Sequence, residues 1–147
     1  TGVAAAARDD DLVGRVVTAS DVDWPAQHVV VVVLPLSEAT RHVVDAAFLA
    51  RLSDDALVVN VGRGPLLDTD AVLAEAGRLR FALDVTDPEP LPDDHPLWRE
   101  RRALITPRSA NPIGPRSAAL ADRVRDNVAR RIAGDELLGV VERERGY

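Results

Sequence analysis

The run Val29-Val30-Val31-Val32-Val33-Leu34 is apolar without alternation and closes on Pro35. A β-branched run of this kind predicts a strand buried on both faces, inside a parallel sheet covered by helices. Ala56-Leu57-Val58-Val59-Asn60-Val61 repeats the pattern and closes on Gly62. Phe81-Ala82-Leu83-Asp84-Val85 is a third run and Ala103-Leu104-Ile105 a shorter fourth, closed by Thr106-Pro107. Gly2–Ala7 suggests an earlier strand and Val16-Val17 a very short one. Helical patterns fill the gaps. Asp45 suits the cap of a helix over Ala46–Leu52. Asp68 or Thr69 suits the cap of Asp70–Ala76, with Gly77 as its stop. Pro115 fits the first turn of a long helix that Gly134 ends. Its stripe, Leu120, Val124, Val128 and Ile132, is a strict i, i+4 series. Asp87–Arg102, with four prolines, is expected to be irregular. Strands alternating with helices predict a parallel α/β sheet with flanking helices.

Composition narrows the chemistry. The 147 residues contain no Cys, which excludes disulfides, thiolate nucleophiles, zinc–cysteine sites and iron–sulfur clusters. There is no Lys, so all 18 basic residues are Arg; a Schiff-base or P-loop lysine is excluded. There is no Met, and the chain starts at Thr1. The net charge of −6 argues against nucleic acid as a partner. Residues 1–98 hold 7 Arg against 17 acids, and residues 99–147 hold 11 Arg against 7 acids. Acids interleave with those later arginines, so a solvated Arg-rich helix is the simpler expectation. No apolar stretch is long enough to span a bilayer, and residues 1–20 lack a signal-peptide pattern, so a cytoplasmic protein is expected.

Ligands of open α/β sheets sit at the carboxyl ends of the strands, so the polar residues there carry the weight. Arg63 lies between Gly62 and Gly64, directly after a strand. Glycines there allow a tight turn and close approach of backbone to a ligand. An Arg so presented either grips a carboxylate through a bidentate fork or is an ordinary surface residue. Glu89, four residues after the third strand, either orients a catalytic base or belongs to a polar, Pro-rich loop. Asp84 interrupts an apolar strand; a carboxylate buried there is either a cofactor contact or paired structurally. The three histidines, His28, His42 and His95, show no metal-ligand spacing, and no metal is expected. His28 stands at the amino end of its strand; His42 and His95 have no evident partner.

Four stretches together resemble the D-2-hydroxyacid dehydrogenases. They are Leu34-Pro35-Leu36-Ser37-Glu38-Ala39-Thr40-Arg41, Val58 to Asp68 (VVNVGRGPLLD), Ala82 to Pro92 (ALDVTDPEPLP) followed by His95-Pro96-Leu97-Trp98, and Leu104-Ile105-Thr106-Pro107. The resemblance covers about residues 28–147 and is weak before residue 28. It implies an incomplete Rossmann-type domain over 1–133. It also implies a tail, 134–147, that in the family packs back toward a substrate domain. It implies hydride transfer between NAD or NADP and a 2-hydroxy or 2-oxo acid. By the same resemblance Arg63 binds the substrate carboxylate, Glu89 polarises the catalytic histidine, and Asp84 lies near the nicotinamide. Ser37, Val61 and Gly62 then lie along the cofactor, and a homodimer is expected.

Two departures from the family pattern change the expected function. The family's catalytic histidine follows the Thr-Pro of the last strand, and here that position is Arg108. A guanidinium stays charged and does not exchange a proton at working pH, though it stabilises an alkoxide electrostatically. No Gly-x-Gly-x-x-Gly loop occurs, and that loop with its helix start is what holds a pyrophosphate. The strand before such a loop is normally central, so its loss exposes ladder edges. The expectation is therefore the C-terminal portion of a dehydrogenase-like oxidoreductase, impaired in proton transfer. The alternative is a non-catalytic remnant that dimerises or binds a partner through its sheet and basic helix. A different Rossmann-type binder, such as a methyltransferase, explains none of the four stretches.

Overall fold

The fold comes from a computed structural model, which describes residues 1–110 and 113–141. At the start, strands β1 (Gly2–Val3), β2 (Arg8–Asp10) and β3 (Gly14–Val17) form a small sheet in the order β1-β3-β2. The expected strand over Gly2–Ala7 is thus cut to two residues, paired parallel with β3. The polar Arg8–Asp10 pairs antiparallel with β3, which the apolar pattern did not signal. A hairpin explains it: Asp10 Oδ1 accepts from the Leu12 and Val13 amides at 3.0 and 3.2 Å, and Gly14 takes a φ of +72°.

The second sheet is all parallel. Its strands are β4 (Val29–Val32), β5 (Leu57–Asn60), β6 (Arg80–Leu83) and β7 (Ala103–Ile105), hydrogen-bonded in that order. Helix α1 (Ala46–Leu49) starts at Asp45, whose side chain accepts from Phe48 N. Helix α2 (Thr69–Glu75) starts at Asp68, whose side chain accepts from the Asp70 and Ala71 amides. Helix α1 is shorter than the expected Ala46–Leu52, while α2 has the expected seven residues, displaced by one. Gly77 is not the left-handed stop expected of it; α2 ends at an ordinary helical Ala76. The Pro-rich stretch is less irregular than expected. It buries Leu91 and Leu97 and contains a 3₁₀ turn, Pro96–Arg99, capped by His95 Nδ1, which accepts from Leu97 N.

The core lies on one side of this sheet. Val32, Val58, Phe81 and Leu83 meet Leu49, Leu66, Val72 and Leu97 there. Burial on both faces does not occur. Val29 and Val31 are each 55% exposed and Leu104 is 62% exposed, on the opposite face. Successive right-handed crossovers send α1 and α2 to the same side, so nothing from these connections reaches the other. The long helix α3 (Ile113–Ala133) does not cover it either. Its stripe Leu120, Val124, Val128 and Ile132 is exposed, against the expectation of a core-facing helix. Pro115 falls within the first turn, and Gly134, at φ +81°, follows the last. The tail then folds back along α3, where the Asn127 amide bonds both the N–H and the carbonyl of Leu138. Residues 142–147 of the expected tail lie outside the described residues. No described helix is long and apolar enough to cross a membrane.

Candidate functional site

Strand register brings the polar residues of three loops together. Asn60, Leu83 and Ile105 are laterally aligned across β5, β6 and β7. Neighbouring strands lie about 4.8 Å apart, so the loops that follow leave one edge side by side.

After β5 the chain turns on Asn60, a buried amide that the apolar pattern hid. Its Oδ1 accepts from Gly62 N at 3.0 Å and its Nδ2 donates to the Arg63 carbonyl at 2.9 Å. This clamp presents Arg63 in extended backbone, exposed, with NH1 donating to the Gly62 carbonyl at 2.7 Å. The glycines on either side are needed for close approach, but of the chain's own backbone and not of a ligand. A Cβ on Gly64 meets the Thr86 carbonyl oxygen at 1.8 Å, and one on Gly62 meets the Leu34 and Val32 carbonyl oxygens at 3.2 and 3.4 Å.

After β6, Asp84 is buried and paired. Its Oδ1 accepts from Thr106 Oγ1 (2.7 Å), Ser109 N (2.7 Å) and Ser109 Oγ (3.3 Å). Its Oδ2 accepts from Ala110 N at 3.0 Å. Burial by itself would raise the Asp84 pKa, but the bonds from Thr106, Ala110 and Ser109 outweigh it and hold the carboxyl below its ordinary value. Thr69 Oγ1 donates to the Asp87 carbonyl and fixes the next part of the loop. The Asp87 carboxylate stands 3.9 Å from Arg41 and 4.0 Å from His42.

After β7, Arg108 takes a left-handed φ of +53°, rare for a residue with a side chain. Its N–H bonds the Asp84 and Thr106 carbonyls, and the next two amides are those held by the Asp84 carboxylate. The Arg108 guanidinium then meets Glu89: NH1 to Oε1 is 2.8 Å.

Of the expected site residues, Glu89 and Arg108 are therefore in direct contact, and Asp84 holds the loop that carries Arg108. Gly62 and Arg63 share the Asn60 clamp. Val61 lines an open cleft of about 200 Å³ with Asp84, Leu104, Thr106 and Ser109. Ser37 is engaged within its own loop, with its N–H and hydroxyl both on Thr40 Oγ1. Asn60 and Thr106 are site-forming residues that the sequence pattern did not single out. For Asn60 a signal existed, since it is the one polar residue in a buried apolar run.

Residues 6–110 match the family model for the NAD binding domain of D-isomer specific 2-hydroxyacid dehydrogenases. The match reaches further forward than the sequence resemblance did. An uncharacterised protein encoded in the proB 3′ region of Corynebacterium melassecola is 39% identical over 127 residues, which is 84% of this chain and 42% of that protein. Glyoxylate/hydroxypyruvate reductase A of Salmonella paratyphi B is 35% identical over 122 residues, 81% of this chain and 38% of that enzyme. The chain thus spans about two fifths of the length of these curated relatives. Among solved structures, a D-isomer specific 2-hydroxyacid dehydrogenase from Xanthobacter autotrophicus Py2, in complex with NADPH and MES, superposes with a TM-score of 0.77 at 38% identity. That alignment covers 84% of this chain and 52% of that one.

Proposed function

Because the chain belongs to the D-isomer specific 2-hydroxyacid dehydrogenase family through its NAD binding domain, we propose that it forms the nicotinamide-binding part of an oxidoreductase of 2-hydroxy and 2-oxo acids. The observation that carries this reading is the convergence of Arg63, Glu89 and Arg108 on one sheet edge, with Arg108 bound to Glu89. Residues 1–133 are proposed as the domain and 134–147 as a tail outside it.

The residues present suit the nicotinamide end of NAD or NADP. The cleft beside Val61 has room for a flat aromatic amide, and Asp84 lines it with Thr106 and Ser109. A solved relative is complexed with NADPH. No Gly-x-Gly-x-x-Gly loop is present to cradle the pyrophosphate, so Val61, Gly62 and Asp84 are the contacts proposed; Ser37, closed on Thr40, is the weakest candidate. When bound, the nicotinamide supplies or takes up hydride.

Arg63 provides the fork for a substrate carboxylate. Arg108 stands where the family's proton-transfer histidine stands, and a guanidinium does not give or take that proton. Glu89 neutralises Arg108 rather than tuning an imidazole. His95 caps the 3₁₀ turn through Nδ1 on Leu97 N, and among the described residues no bond ties it to Arg63, Glu89 or Arg108. We therefore expect binding with impaired turnover. Arg108→His tests this, with reduction of glyoxylate by NADPH followed at 340 nm and NADPH binding followed by fluorescence. Restoration of about 10²- to 10⁴-fold is expected. Ordinary turnover by the wild-type chain would refute the impairment, and absence of NADPH binding would refute the cofactor assignment.

A second reading, a non-catalytic module that dimerises or docks a partner, is favoured by the bare sheet face and the exposed stripe of α3. Sedimentation of the wild-type chain over a concentration series separates the two readings of that surface.

A further inference from the structure

Asn60 and Asp84 are the buried polar residues among those described, and Asn60 has no exposure at all. Its amide meets both ends of the Gly62-Arg63 dipeptide: Oδ1 takes the Gly62 N–H at 3.0 Å and Nδ2 donates to the Arg63 carbonyl at 2.9 Å. Turned the other way, the amide would set N–H against N–H and oxygen against oxygen, so its partners fix its orientation. The Arg63 carbonyl takes a second donor, Leu66 N at 3.2 Å, which uses both of its lone pairs. Packing against the glycines closes the turn from the sides. A Cβ on Gly62 would meet Leu66 Cδ1 at 2.9 Å, and one on Gly64 the Thr86 carbonyl carbon at 2.3 Å. The exposed Arg63 side chain thus leaves a stretch of backbone that is held throughout. Its guanidinium is tied to the same frame, since NH1 donates to the Gly62 carbonyl at 2.7 Å. Among the described residues that is the guanidinium's one hydrogen bond. It uses one of five N–H donors and leaves the edge formed by Nε and NH2 for a two-point contact.

We infer that Asn60 is the positioning residue of the carboxylate site: by fixing the Gly62 carbonyl on which NH1 rests, it aims the free edge of Arg63 at a substrate carboxylate. The inference rests on the proposed reading of Arg63 as the carboxylate-binding group. Asn60 lies beneath the turn and acts through Arg63, without touching the acid. A long exposed side chain samples many rotamers, and a ligand that stops this motion loses affinity to the cost of ordering it. Arg63 starts from an anchored orientation, so less of that cost falls on binding. The anchor is a chain of three bonds: Asn60 to the two ends of the dipeptide, and the Gly62 carbonyl to the guanidinium. Loss of the Nδ2 donor frees one end of the dipeptide and lets the carbonyl under NH1 turn.

The test uses the 147-residue chain, pyruvate as the probe, and thermal unfolding of each variant as the fold control. Asn60→Asp keeps the size and an oxygen for Gly62 N, but sets its other oxygen against the Arg63 carbonyl. NMR relaxation of the Arg63 Nε–H group, read without ligand, is expected to show a rigid side chain in the wild type and a mobile one in Asn60→Asp. A role confined to holding the fold would lower the unfolding temperature and leave that group as it was. Pyruvate affinity is expected to fall about tenfold in folded Asn60→Asp, and Arg63→Ala is expected to remove binding. In the wild type, pyruvate is expected to shift the Asn60 side-chain amide and the Arg63 Nε signals with one Kd, a readout that needs no variant to fold. An equally rigid Arg63 in both proteins, undiminished affinity in Asn60→Asp, or an Asn60 signal that stays put while Arg63 shifts would each overturn the inference. Wild type that binds no pyruvate, or binding indifferent to Arg63→Ala, would overturn the carboxylate reading beneath it, a failure that the ligand-free relaxation tells apart.

Discussion

Gly64 has room for a hydrogen and little else. The Thr86 carbonyl and the Asp87 amide pass within 3 Å of where a Cβ would sit. Both are backbone, so neither swings aside. Gly64→Ala is expected to cost about 3 kcal/mol or more, read as a lowered urea midpoint. Gly77→Ala, with open space around its Cβ position and no left-handed φ, is the control and is expected to be neutral or slightly stabilising. Asp84 acts by charge. Its folded pKa is depressed, so its contribution is present above the ordinary carboxyl value of 3.8 and is lost as pH falls through the depressed folded value. The stability gap between wild type and Asp84→Asn should therefore be widest near neutral pH and close in acid, by urea titration at several pH values. At this scale the sequence made Arg63, Glu89 and Arg108 legible, because each sits inside a specific local stretch. It did not reveal that Thr106 and Ser109 serve Asp84. Those partners lie 22 and 25 residues away in the chain, and only the β6–β7 register brings them to the carboxylate.

Helices α1 and α2 depend on their caps and on one arginine. Both are short, and isolated helices of such length are unstable in water. Asp45 and Asp68 satisfy their first amides. Arg78 satisfies the other end, donating to the carbonyls of Leu49, the last residue of α1, and of Leu52 beyond it, while bonding Glu75 at the end of α2. Asp68→Ala is expected to cost about 1 kcal/mol, and Asp68→Asn to recover most of it, by chemical denaturation. The caps were legible, because Asp before an apolar helical pattern is a local signal. The end of α1 was not, since Arg78 acts on it across 26 to 29 residues. Strand positions were legible for the same local reason. Their two-sided burial was not, because cover for the second face depends on where distant elements go. Val29-Val30-Val31-Val32 has the composition of an interior strand and the exposure of a half-covered one.

For the whole molecule the consequence is an apolar surface on each of two parts. The bare sheet face carries Val29, Val31 and Leu104, and α3 carries Leu120, Val124, Val128 and Ile132. Burying side chains of this size is worth about 1.5–3 kcal/mol each, so a surface of this extent favours association. The wild-type chain is expected to bind an apolar dye and to sediment with concentration-dependent mass. Val31→Glu combined with Leu104→Glu should reduce both without lowering the urea midpoint, since neither residue belongs to the buried cluster.

The division into two sheets has a dynamic consequence. No strand ladder joins β1-β3-β2 to β4-β5-β6-β7 among the described residues, so fraying of the first need not break a bond of the second. Cooperative units of this kind open separately. In deuterated water the amides of Val16 and Val17 should lose their protons while those of Val58 and Val59 keep theirs. The loops bearing Arg63 and Arg108 leave the slower-exchanging sheet, so the chain should hold its site in register while its amino-terminal hairpin breathes.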